Sequence, residues 1–68
     1  MKYHVFFNYG YDNELEMFAS DDLNEAIKYA EDNAEDEIDH EGDSVEVIWF
    51  KADGEAMTEW LISYEDIE

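Results

Sequence analysis

The sequence of 68 residues has no cysteine, no proline and no arginine. Without cysteine there is no disulfide framework and no thiolate metal site. Lysine supplies all three of the basic side chains, against 21 acids. The resulting net charge of −18 repels nucleic acid and anionic membrane surfaces, so both are poor direct partners. Long apolar runs are also missing. The longest, Val47 to Phe50, is four residues, far short of the ~20 that span a bilayer. The start, Met1-Lys2-Tyr3-His4, shows no basic stretch leading into an apolar one, so no secretory signal is expected and the cytoplasm is the default.

High charge ordinarily argues for disorder. Here 46% of residues are hydrophobic and 16% aromatic, and no tract is of low complexity. The apolar residues also recur at regular spacing. The sequence therefore reads as a single folded domain over residues 1–68, with the charge on its surface.

Residues 2–9 are aromatic and β-branched and predict a strand, with Tyr3, Val5, Phe7 and Tyr9 on one face. Gly10 to Asn13 reads as a turn, and 14–19 as a second strand with Leu15, Met17 and Ala19 toward the core. Ser20 or Asp21 is the expected helix cap. Leu23, Ala26, Ile27, Ala30, Ala34 and Ile38 follow a 3.6-residue period, which predicts a helix from about 21 to 38 that frays near residue 36 or 37. Strands follow at 44–52 and 56–64, joined at Asp53-Gly54. The predicted fold class is α+β in the order ββαββ: a four-stranded, mainly antiparallel sheet with one acidic amphipathic helix on one face. Ile48, Phe50, His4, Phe6 and Phe18 are then expected on the far face. That face would need cover from a second protomer, a partner or the C-terminal tail, which makes a homodimer through it one expectation.

Catalytic signatures are absent. Ser20, Ser44 and Ser63 could serve as nucleophiles with His4 or His40, but no nucleophile elbow surrounds them. Paired carboxylates are inevitable in so acidic a chain, and acid/base chemistry needs a pocket that separates their pKa values. A calcium loop centred on Gly42 would offer Asp39, Glu41 and Asp43, but its twelfth position is Ile48 rather than Glu. No glycine-rich phosphate cradle and no His/Cys metal spacing exist. The expectation is a non-enzyme without cofactor or metal.

The charge itself is the functional signal. Typical soluble domains carry a net charge of magnitude about 2–8, and excess charge destabilises a compact state by self-repulsion. Eleven acids and one Lys lie between Asp21 and Asp43. At 100° per residue, Glu25, Asp32 and Asp36 fall opposite the apolar stripe, and Asp21 and Asp39 extend that line. Asp22 flanks it on one side, Glu31 and Glu35 on the other. Lys28 can pair with Glu25 or Asp32. Further acids fall on strands and turns, and Glu65, Asp66 and Glu68 form an acidic tail. A helix over 21–38 would be ~27 Å long, a length of B-DNA that carries ~16 phosphate charges.

In small size, extreme acidity, compact α+β character and the acidic segment Asp21–Asp39, the chain resembles the phage-encoded DNA-mimic inhibitors, among them anti-CRISPR and anti-restriction proteins. The resemblance implies a partner that binds nucleic acid through a basic groove, such as a Cas effector or a restriction nuclease, blocked by carboxylates in place of phosphates. On this reading Asp21, Asp22, Glu25, Tyr29, Asp32, Glu35, Asp36 and Asp39 contact the partner. The setting would be the cytoplasm of a phage's host. A second reading is an immunity protein or antitoxin that caps a basic nuclease toxin, with Tyr11, Tyr29 and Phe18 as aromatic anchors. A third is an acidic housekeeping or halophilic domain.

Overall fold

A computed structural model describes residues 1–67. Glu68, counted above in the acidic tail, lies outside the described residues. The fold is α+β. Four strands, β1 (Tyr3–Phe7), β2 (Leu15–Ser20), β3 (Ser44–Phe50) and β4 (Ala56–Ser63), form one sheet in the order β2-β1-β3-β4, every pair antiparallel. Helix α1 (Leu23–Glu37) crosses between the two hairpins and packs on β1, β2 and β3. A single turn, α2 (Tyr64–Ile67), ends the described chain. No described helix is long and apolar enough to cross a membrane.

The helix begins two residues later than the expected start. Its cap is neither Ser20 nor Asp21 but Asp22, whose Oδ1 accepts the backbone N–H of Asn24 at 2.9 Å and of Glu25 at 3.4 Å. Only the residue directly before Leu23 can meet both donors. Ser20 supports the cap from behind: its Oγ accepts the Asp22 N–H at 3.0 Å and donates to Glu25 Oε1 at 2.7 Å. The helix ends at Glu37, with Ile38 as C-cap donating its N–H to the Ala34 carbonyl.

Ala26, Ala30 and Ala34 recur at every fourth position and are fully buried against Val5, Val45 and Val47. With no side chain beyond Cβ, this stripe lets the helix backbone settle directly on the valines of the central strands. Leu23, Ile27, Trp60 and Ile62 close the rim of that core.

Strict alternation mis-assigns the faces in β2. Val5 pairs with Phe18 and Phe6 with Glu16, so Met17 is an extra residue, a β-bulge. The extra residue reverses which side chains face the helix. Phe18, expected on the far face, therefore packs on the helix side. Ala19, expected in the core, stands opposite His4 on the far face, and Leu15 is exposed. A second bulge in β4 inserts Glu59 between Trp60, paired with Val47, and Thr58, paired with Ile48. Tyr64, placed in the last strand by the sequence, opens α2 instead.

The first strand also stops early. Asn8 turns at φ +51°, a left-handed conformation that Asn adopts more readily than most residues. Tyr9 thereby leaves the face of Tyr3, Val5 and Phe7 and folds back over the opposite one. Its ring lies 4.9 Å from that of Phe6 and 6.4 Å from that of Phe50. His4 completes the group, edge-on to Phe50 at 5.4 Å. Ile48, which alternates with Val47 and pairs with His4, is completely buried on this helix-free side. Cover for Ile48 and Phe6 thus comes from within the chain, while Phe50 and Leu61 stay exposed.

Candidate partner-binding surface

Three elements build the surface around α1: the acidic side chains of the helix, an aromatic pair at its edge, and the loop that follows it. Among the described residues, every acid except Asp43 and Glu46 is exposed. Glu25, Tyr29, Asp32 and Asp36 lie at spacings of four, three and four, which makes one ridge along the helix. Glu35 lies on the opposite flank and is also exposed. Asp21 and Asp22 mark the amino-terminal end, and the Oδ1 of Asp22 is committed to the cap. Asp39 lies past the C-cap in the loop.

Lys28 chooses Asp32 rather than Glu25, with Nζ 3.1 Å from Oδ2. Both side chains stand mostly in water, so the pair is weak and readily exchanged. Lys51 is matched in the same way by Glu55 at 3.2 Å.

Tyr29 is half-buried and its ring stacks on Phe18, with centroids 4.4 Å apart and planes inclined by 6°. Beside this pair lies an open groove of about 240 Å³, lined by Phe18, Glu25, Lys28, Tyr29 and Asp32. The structure therefore gathers Glu25, Tyr29 and Asp32 into one concavity and leaves Asp21, Asp22, Glu35, Asp36 and Asp39 outside it. Phe18 is the member that alternation assigns to the wrong face. The apolar run Met17-Phe18-Ala19, which interrupts the alternation begun at Leu15 and Glu16, is the mark the bulge leaves in the sequence.

The loop after the helix is held by a clasp that no motif announces. Asn8 is buried, donates from Nδ2 to Asp43 Oδ1 at 3.0 Å and accepts the Ser44 N–H at 2.8 Å. Asp43 Oδ2 accepts the N–H groups of His40 and Asp39 at 3.1 and 3.3 Å. The Asn8 amide is the main cause that holds the Asp43 carboxyl below the ordinary aspartate range. Partial burial opposes it, and the two backbone donors and neighbouring His40 add to the lowering. A depressed carboxyl stabilises the fold at pH values above its unfolded pKa, and that contribution is lost as pH falls through the folded value. Asp43 thus belongs to the scaffold that holds the loop carrying Asp39 and Glu41.

His40, weighed above as a base and then set aside, places Nδ1 3.8 Å from this same carboxylate. Ser63 donates its hydroxyl to Glu65 and Asp66. Among the described residues no group of three or more His, Asp or Glu side chains is arranged to hold a metal ion. Comparison with family profiles, curated proteins and solved structures finds no match for this chain.

Proposed function

We propose that this protein is an inhibitor that mimics DNA: it enters the basic nucleic-acid groove of a bacterial defence nuclease or CRISPR–Cas effector and blocks DNA binding there. The observation that carries the reading is the ridge Glu25–Tyr29–Asp32–Asp36, exposed on a helix that buries alanine on its other side, in a chain of net charge −18. In this reading α1 is the acidic, amphipathic element. Asp21, Asp22, Glu35 and Asp39 extend its field, and Lys28 offsets one charge. Carboxylates meet Arg and Lys side chains through charge-assisted hydrogen bonds, and association is steered by the field and weakened by salt. The protein acts by occupancy, as a binding partner rather than an enzyme, and needs no cofactor.

The test is capture of partners from a bacterial lysate that contains nucleases and CRISPR effectors, challenged with duplex DNA. A DNA-binding effector that the duplex displaces supports the proposal. Reversal of Glu25, Asp32 and Asp36 to Lys changes the net charge by six and abolishes both capture and inhibition, with the circular-dichroism spectrum unchanged. A folded triple variant that inhibits normally overturns the assignment to the helix ridge.

The immunity-protein reading predicts a different outcome, a single partner retained despite excess duplex. Exposure of Phe50 and Leu61 on the helix-free face supports a separate proposal, self-association through that face. Sedimentation equilibrium distinguishes a dimer from a monomer.

A further inference from the structure

We propose that the groove beside Phe18 and Tyr29 is the docking site for one arginine side chain of the basic partner. The inference rests on the inhibitor reading for the existence of that partner, but the groove has properties that a uniform acidic surface lacks. Its surface is mostly apolar, with the stacked rings of Phe18 and Tyr29 among its lining, and is not a further set of carboxylates. Glu25 and Asp32 stand at its wall, and Ser20 fixes the Glu25 carboxylate by donating to Oε1. An apolar, partly aromatic surface beside two carboxylates complements a weakly hydrated cation.

Guanidinium meets both requirements. It stacks on aromatic faces, is less strongly hydrated than ammonium, and presents several donors in a plane to carboxylate oxygens. An ammonium group satisfies the carboxylates and makes less of the apolar surface. Anionic ligands are excluded by the field of the chain. A cation already stands at the groove, since its lining residues Lys28 and Asp32 pair with each other. That ammonium is 76% exposed, so an incoming guanidinium displaces a weakly held occupant.

The proposal predicts a preference that total charge cannot produce. Hexaarginine and hexalysine, which carry equal charge, are titrated into the protein at physiological ionic strength. Wild type binds hexaarginine about two- to fivefold more tightly, the range expected of an exposed cation–π contact. The Tyr29 and Phe18 ring proton resonances move with hexaarginine and much less with hexalysine. Tyr29→Leu, which keeps apolar bulk at the core edge, brings the ratio of the two affinities to about one, and Tyr29→Phe preserves it. Equal affinities in wild type overturn the proposal, as does a preference that survives Tyr29→Leu with the ring resonances unmoved. If Tyr29→Leu fails to fold, the wild-type ring resonances decide by the same criterion. Such a failure leaves the ridge-reversal experiment on a captured effector untouched. Loss of DNA-competitive capture, with the arginine preference intact, counts against the inhibitor reading alone.

Discussion

The two faces of the sheet are buried by opposite means. On one, the helix contributes alanines, and the valines of β1 and β3 meet a backbone-smooth surface. On the other no helix packs among the described residues, and large rings cluster there instead: Phe6, Tyr9, Phe50 and His4 contact one another on the side where Ile48 is buried. Small residues give close approach and leave little slack. Rings, with Tyr9 carried on a turn, give cover that can adjust. The turn after β1 contributes to that cover by reversing at Asn8, which brings Tyr9 over Phe6.

The sharpest way to break this contrast is to enlarge the tight face. Ala30→Leu forces three extra carbons between helix and sheet and should cost about 3 kcal/mol in urea unfolding. Tolerance of that change within a few tenths of a kcal/mol would mean that the helix face has slack of its own. A smaller effect is expected on the adjustable face. Tyr9→Ala removes a half-buried ring and should cost about 1–2 kcal/mol, with new binding of a hydrophobic dye where Phe6 and Ile48 become accessible. If Tyr9→Ala proves the more damaging of the two, the ring cover is the stiffer layer and the contrast is inverted.

The smallest effect concerns what both faces share, the charged perimeter. Moderate salt screens its self-repulsion and should raise the melting temperature by on the order of 5 °C, the equivalent of about 1 kcal/mol in a domain of this length. A melting temperature flat from low to moderate salt would show that repulsion does not limit this fold.

The same contrast explains what could be read in advance. The helix was legible because Leu23, Ala26, Ile27, Ala30 and Ala34 keep a helical period that no strand or loop imitates. The order of the four strands in the chain followed from alternation and from the turns at Gly10 and Gly54. Their order in the sheet did not, since pairing of β1 with β3 depends on contacts across more than 35 positions that leave no local mark. The faces failed at particular residues. One inserted residue, Met17, moved Phe18 to the helix and removed Ala19 from it. One left-handed residue, Asn8, carried Tyr9 across the sheet. The cap failed for a third reason: Ser20, Asp21 and Asp22 all have capping side chains, and composition cannot rank them when they stand in a row. In the candidate site, the ridge of acids was plain from spacing. The groove was not, because Phe18 in its lining belongs to the strand whose phase the bulge had changed.

Both bulges lie on the two outermost strands, Met17 on β2 and Glu59 on β4. An open sheet ends in unpaired backbone donors and acceptors, which another copy of the same chain can extend indefinitely into a fibril. A kink in each margin spoils the straight template such growth requires, and Glu14, Glu16, Glu55 and Glu59 place like charges along those margins. The price of an open-ended sheet is thereby reduced: copies of this chain meet one another at margins that are both kinked and mutually repelling, which disfavours fibrillar growth.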